Sequence, residues 1–336
     1  RQASWELCKD IAAKPNILDL FIRRLKSHGL VGEEINAKIT FLAMVSRLLS
    51  SPICIALKGN SSGGKSTVQD TVVLDFFREG EDYYRISSAS DLAILFSDKV
   101  YEHKYLVVVE YEGMVSNMFE YLIRTLISEK YIARDVTIIG PDGEYTTQEE
   151  MKRGPTGLIV TTTRNAIHDE SETRVFSLNM DDSIEQNRRV IEHLGAMAAI
   201  EESFWKPQNN DDWIALQEWL ASGSNSVIVP FGPALSRAIP QTSATRLRRD
   251  YKATLETIKA HALLHQHTRE RDDRGNIIAT LDDYQVTFDL LNAVVAEGLT
   301  ASVSQKVRDT VQAIEELLES QMTKDVTTAQ LAEKLE

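Results

Sequence analysis

The sequence predicts an α/β fold, a three-layer P-loop core in which a parallel sheet carries a phosphate-binding loop. Short β-rich runs, ICIAL (53–57), YLVVV (105–109) and GLIVTTT (157–163), alternate with helical stretches over about a hundred residues. Runs that are apolar throughout indicate strands buried on both faces, hence a parallel sheet. The stretch GNSSGGKS (59–66) matches G-x-x-x-x-G-K-[ST] and stands directly between the first run and the helical TVQDTVVLDFF, the context such a loop requires.

The elements follow in order. Residues 1–50 read as an N-terminal segment of two or three amphipathic helices, because Ile17, Leu20, Phe21, Leu25 and then Ile35, Ile39, Leu42, Val45, Leu48 recur at three- and four-residue steps. Residues 51–180 form the α/β core. Inside it, VTIIGPDGEYTTQEEM (136–151) sets two β-prone arms around a Gly-Pro-Asp-Gly turn, which predicts an inserted hairpin. Residues 181–300 return to helix as a lid, with long helices at 242–268 and 280–297. Thr280 and Asp283 resemble a capping box, and Gly298 is the expected stop. Residues 301–336 read as a linker helix and VTTAQLAEKLE, the start of a winged helix-turn-helix capped by Thr327 or Thr328, or an ordinary amphipathic helix. The chain opens on Arg1 rather than Met, and with that interrupted ending it is expected to be a piece of a longer polypeptide.

The loop residues Gly59, Asn60, Ser61, Ser62, Gly63, Gly64, Lys65 and Ser66 carry specific chemistry. Glycines let backbone N–H groups approach a β-phosphate, Lys65 reaches the β- and γ-phosphates, and the Ser66 hydroxyl ligates Mg²⁺, so ATP and Mg²⁺ are the expected ligands. Lys58 and Thr67 flank the motif without a direct role assigned. Such a site needs a second strand with acidic residues to hold the metal and polarise water. The run 105–109 supplies it: Glu110 is the expected water-polarising base and a metal neighbour, Glu112 follows two residues on, and Val109 stands where the usual pattern has Asp. With Val109 there, Glu112 or an outer-shell arrangement helps with the metal. The third run ends in polar residues, of which Thr163 and Asn165 are candidates to touch the γ-phosphate or the water. Arg174, just before the apolar Phe176-Ser177-Leu178, is placed to serve a neighbouring subunit's nucleotide, or to pair with Glu172 or Asp169.

Loop, acidic strand, hairpin, TTT strand and Arg174, in that order, resemble AAA+ ATPases of the helicase clade that includes the minichromosome-maintenance and superfamily 3 helicases. RDYKATLETIKAH (249–261) is similar to the minichromosome-maintenance lid helix, in which an Arg twelve residues before the Ala-His pair acts as sensor 2. By that resemblance Arg249 is the sensor-2 candidate and Arg246 the second. With VGEEIN (31–36) the arrangement is closest to helicase-like modules linked to primases in phages and other mobile elements. The resemblance covers about residues 1–300 and implies a homo-oligomeric ring, a hexamer, that hydrolyses ATP and acts on single-stranded or forked DNA, with a primase module as a further partner. In the family a basic or aromatic hairpin tip tracks DNA; here the turn carries Asp142 and Glu144, with Lys152 and Arg153 at the far end of the second arm.

Composition narrows the remaining choices. The 336 residues are 43% hydrophobic and 26% charged, normal for a globular protein. With 37 Lys+Arg against 50 Asp+Glu the net charge is −13, which excludes a surface that is basic throughout, though not a local basic pore. Two cysteines, Cys8 and Cys54, provide neither a disulfide framework nor a thiolate zinc site, and predict a reducing cytoplasm. No apolar run approaches the roughly 18–20 residues that cross a bilayer. His261, His265 and His267 are read as solvated lid histidines, and Trp205, Trp213 and Trp219 as packing residues. Two rival functions stay open: an AAA+ switch, initiator or loader that does not unwind DNA, and a P-loop kinase of a small molecule.

Overall fold

The computed structural model describes every residue except 89, 110–115, 140–143, 164–173, 200–207, 240–245, 302–309 and 311–336, and leaves aside the side chains of 138, 246, 249, 293 and 295–301. The expected winged helix (326–336) and Trp205 therefore lie outside the described residues. Contacts divide the chain into one unit of Arg1–Leu290 and a second of Leu291–Glu336.

The first half of the large unit runs α1 (Gln2–Ala12), α2 (Ile17–Ser27), α3 (Glu34–Val45), β1 (Ile55–Lys58), α4 (Lys65–Gln69), β2 (Tyr83–Ile86), α5 (Ala93–Phe96), β3 (Lys104–Val108) and α6 (Asn117–Glu129). It continues through β4 (Tyr131–Ile139), β5 (Tyr145–Arg153), β6 (Thr156–Thr162), β7 (Phe176–Asn179), α7 (Ile184–Ala198), α8 (Asp211–Ala221), β8 (Val227–Ile228), α9 (Gly232–Ala238), α10 (Arg246–Leu264), β9 (Ile277–Ile278) and α11 (Leu281–Ala301), which crosses into the second unit. The β-rich runs are strands, displaced by one or two residues from their expected limits, and β2 is an additional one. The hairpin is longer than its sequence signal, with β4 and β5 paired antiparallel from Tyr131↔Arg153 to Ile139↔Tyr145.

Five strands form one parallel sheet in the order β2-β3-β6-β1-β7. Alternate residues serve opposite faces. Cys54, Ala56, Leu106, Val108, Leu158 and Val160 pack with Phe119, Leu122, Ile123 and Leu126 of α6. On the other face the buried Tyr105 reaches α3: its hydroxyl lies 2.5 Å from the Ala43 carbonyl and 2.6 Å from that of Ile53. The ring crosses Gly157, where an added Cβ would stand 2.3 Å from it, so only glycine allows this approach. Burying each such side chain contributes about 1.5–3 kcal/mol.

The N-terminal helices lock onto this layer and onto α8 through stacked aromatic rings. Phe21 stacks on Phe41 at 4.1 Å and meets Phe76 and Trp213 edge-on. Arg47, only 1% exposed, pairs with Asp82 at 2.7 Å and donates to Gln217 Oε1 at 3.1 Å. A charge taken so far out of water persists because Asp82 pairs with it and Gln217 and the Met44 carbonyl accept from it. Trp213 and Trp219 are packing residues as expected, the latter 5.1 Å from Trp5. Gly298 does not end α11, which runs on to Ala301; one helical glycine costs about 1 kcal/mol against alanine, too little to break a long helix. No helix among the described residues is long and apolar enough to cross a membrane.

Candidate nucleotide-binding site

The site grows from the way β1 ends. After Lys58 the chain turns through Gly59 and enters α4 at Lys65, and the Gly59 N–H donates to the Thr162 carbonyl at 3.4 Å, fixing the loop to the tip of β6. The Gly63 N–H closes the turn on the Asn60 carbonyl at 3.0 Å. A Cβ at Gly63 would stand 2.9 Å from that same oxygen, so space forbids a side chain there. At Gly64 the restriction is conformational: nothing lies within 4 Å of an added Cβ, but φ is +83°. Ser62 is also left-handed, at φ 65°. Backbone of this kind, leading into a helix N-terminus, forms an anion-binding concavity.

Lys65 is 8% exposed, and its Nζ donates to the Gly59 and Asn60 carbonyls at 2.7 and 2.6 Å, so the ammonium sits inside the curve of the loop. Ser66 and Thr67 follow in the first turn of α4, and Asn60 Nδ2 donates to Asp182 Oδ2 at 3.3 Å. The loop thus has the shape and charge to cradle a polyphosphate.

The neighbouring strands β6 and β3 end at the same edge. β6 lies between β1 and β3, pairing Leu57 with Thr161 and Val108 with Val160. Thr163 is the first residue beyond β6 and is exposed, next to the Thr162 carbonyl that holds the loop. The chain leaves β3 at Val109, whose N–H donates to the Ile86 carbonyl at 3.2 Å. Glu110, Glu112 and Asn165 lie outside the described residues, as do Glu172, Asp169 and Asp142.

Arg174 is on the opposite edge. It precedes β7, whose Phe176 is level with Ile55, so Arg174 is level with residue 53 and six strand residues below Gly59. At 3.3 Å per residue that is about 20 Å, more than an arginine side chain spans. Arg174 Nε donates to Ser128 Oγ at 2.8 Å, at the last turn of α6. A cavity of about 270 Å³ opens there, lined by Arg174, Ser128, Lys130 and, from α10, Asp250, Lys252 and Glu256. The side chains of Arg246 and Arg249 lie outside the described ones, but α10 brings the residues beside Arg249 to the Arg174 edge.

The lid histidines correct an expectation. His261 and His265 are buried rather than solvated, at 4% and 1% exposure; only His267 is exposed, 4.7 Å from Trp5. His261 Nδ1 lies 2.6 Å from Asp283 Oδ1, while Arg269 donates to both Asp283 oxygens at 2.9 and 2.6 Å. Burial pushes the Asp283 carboxyl up, yet bonds from His261, Arg269 and the Thr280 N–H outweigh it and hold the group well below the usual carboxylate range. Burial and then the neighbouring His261 and Arg269 push His265 down to about 3. The cluster is a structural knot: among the described residues no three His, Cys, Asp or Glu are grouped to hold a metal.

Sequence reasoning missed Tyr145 and Ile139. They face each other across the hairpin at the turn end, 80% and 66% exposed, and the signal for them was the aromatic just past the turn in GPDGEY.

Fold and loop together define an α/β protein whose five-stranded parallel sheet, flanked by helices, is compatible with a P-loop-like three-layer core. No protein-family model matches the chain, and no curated protein matches it.

Proposed function

We propose that this protein is a ring-forming, Mg²⁺-dependent ATPase of AAA+ type that translocates on or unwinds DNA in the replication of a phage or mobile element. One observation carries the reading: the phosphate loop and Arg174 occupy opposite edges of adjacent parallel strands, about 20 Å apart along them. An arginine so placed serves a nucleotide only if that nucleotide belongs to another copy. That α10 meets the Arg174 edge supports Arg249, with Arg246 second, acting on the same neighbouring nucleotide. The position of β6 between the loop strand and β3 supports the AAA+ assignment, because Thr163 then follows a strand that lies between the one leading into the loop and the one leading to Glu110.

In this reading Gly59 to Gly64 hold the phosphates through backbone N–H groups, and Lys65 turns from its own loop carbonyls to the β- and γ-phosphates. Ser66, Glu110 and Glu112 provide the hard oxygen ligands that suit Mg²⁺, which supplies charge against the phosphates. Glu110 orients and deprotonates the attacking water, Thr163 or Asn165 holds the water or γ-phosphate, and Arg174 of the next copy offsets charge on the transferred group. Tyr145 offers a flat face for base stacking at the hairpin tip, which supports contact with single-stranded DNA despite the acidic turn.

The acidic balance favours a second reading, a switch or loader that hydrolyses ATP without unwinding. Glu144, Glu149 and Glu150 on or beside β5 all repel phosphate. Steady-state hydrolysis measured without nucleic acid, with single-stranded DNA and with duplex separates the two. The motor reading expects stimulation by single-stranded or forked DNA, lost about 100-fold or more in Glu110→Gln, where the base is gone. A rate indifferent to DNA contradicts it and favours the switch. Phosphorylation of a metabolite instead would revive the kinase.

A further inference from the structure

The stretch VGEEIN (31–36) meets the phosphate loop through one intermediary, the turn 179–183 between β7 and α7. That turn makes two sets of contacts. The first is with the loop: Asn179 is level with Lys58 in the sheet, the Met180 N–H donates to the Lys58 carbonyl at 2.8 Å, and Asp182 Oδ2 accepts from Asn60 Nδ2 at 3.3 Å. The fit at Gly59 is close, since an added Cβ there would stand 3.1 Å from Met180 Cβ. Gly59 and Asn60 are the residues whose carbonyls hold the Lys65 ammonium, so the turn sets where the curve of the loop stands.

The second set is with VGEEIN. Glu33 Oε1 accepts the Asp181 N–H at 2.7 Å, and Glu33 Oε2 accepts from Asn36 Nδ2 at 2.6 Å. The same Asn36 Nδ2 donates to the Asn179 carbonyl at 2.9 Å, so one side chain both orients the carboxylate and pins the end of β7. The Val31 carbonyl accepts from Gln186 Nε2 at 2.7 Å, which ties down the first turn of α7. The backbone bends to make this reach: Gly32 and Glu33 are both left-handed, at φ 67° and 59°, and a Cβ on Gly32 would stand 2.2 Å from Gln186 Oε1. A glutamate in that region is uncommon and persists only where its surroundings hold it, a form of strain that clusters at binding sites. Glu34, next in the chain, pairs instead with Lys26 at 3.0 Å.

We propose that Glu33 is a positioning residue of the phosphate site: its carboxylate, oriented by Asn36, fixes the 179–183 turn so that Met180 and Asp182 hold Gly59 and Asn60 in the curve that receives the phosphates. The inference rests on the reading of the loop as a nucleotide site. Glu33 acts through the Asp181 N–H, a charge-assisted bond of the strong kind. A loop set in advance contacts the phosphates in the ground state and the transition state alike, so loosening it raises KM and leaves kcat.

The test uses a slowly hydrolysed fluorescent ATP analogue, inorganic tripolyphosphate as its competitor, and ATP turnover. Glu33→Gly removes the carboxylate but leaves a residue that adopts φ 59° freely. It is expected to weaken the analogue and tripolyphosphate alike by about tenfold, with KM raised to match and kcat within about twofold of wild type. Glu33→Gln keeps an oxygen for the Asp181 N–H and is expected to recover most of that affinity, while Asn36→Ala, which leaves the carboxylate without its orienting partner, loses about threefold. Glu34→Ala is expected to bind as wild type. Wild-type affinity in Glu33→Gly, a loss as large in Glu33→Gln, or a loss for the analogue without one for tripolyphosphate overturns the assignment while the nucleotide site stands. A wild-type chain that binds neither ligand overturns the nucleotide reading itself.

Discussion

Single side chains set the limits of the loop. Gly63 and Gly64 are glycines for different reasons, one for space and one for φ, so their alanine variants should fail differently. Gly63→Ala pushes Cβ into the Asn60 carbonyl and distorts the cradle. Gly64→Ala has room but strains the backbone by about 1–2 kcal/mol. Nucleotide titration should show the larger loss in Gly63→Ala; equal affinities for both variants and wild type would contradict the account. Lys65→Ala should remove tight nucleotide binding. Arg174→Ala should keep it and lose about 1000-fold in turnover. His265 provides a pH signature. Its folded value is pushed down to about 3 from an ordinary 6.5, so below 6.5 the unfolded chain takes up a proton that the folded chain refuses. Stability from this group is therefore complete above pH 6.5 and falls on acidification, by about 2 kcal/mol at pH 5. Denaturant unfolding across that window should show a slope one proton smaller in His265→Leu, and parallel slopes would contradict the burial.

Elements were legible in the sequence where period and caps agree. Half of the Thr280–Asp283 box forms: the Thr280 N–H donates to Asp283 Oδ2 at 2.8 Å while the Asp283 N–H goes to the Thr280 carbonyl, and α11 starts where those residues place it. What the local pattern hides is that Asp283, fully buried, is also the anion under His261 and Arg269, residues 22 and 14 positions earlier. Asp283→Asn leaves Arg269 without that anion and should destabilise the fold by about 3 kcal/mol, read as a lower melting temperature. Strand β2 escaped because YYRI is an edge strand with a mixed burial pattern, its ladder made with β3, and looks like neither a buried run nor strict alternation. Gly157 inside a strand shows why composition alone misleads: it is there for the Tyr105 ring, and Gly157→Ala should cost about 1–3 kcal/mol by overpacking. In the site, the loop's place between β1 and α4 was legible because its glycine and lysine pattern is local. Arg174's remoteness from its own loop, expected from its place before the strand, became measurable only from the register of β1 and β7.

At the scale of the molecule, a parallel sheet puts every strand's end at one edge and every start at the other, and the proposed chemistry is divided between those edges. The loop and Thr163 occupy the first; Arg174 and the side of α10 near Arg249 occupy the second. Under the proposed reading a single copy holds two halves of different sites. An acidic chain of net charge −13 can still work on DNA in such a ring, since affinity follows the few phosphates contacted in a pore and falls with salt. The measurement closest to the central claim is ATP turnover by an equal mixture of Lys65→Ala and Arg174→Ala chains, each of which should be inactive alone. Random assembly leaves about one interface in four with both an intact loop and an intact arginine, so the mixture should recover a substantial part of wild-type turnover. A mixture as inactive as its components, or an Arg174→Ala chain that hydrolyses ATP by itself, would contradict the shared site.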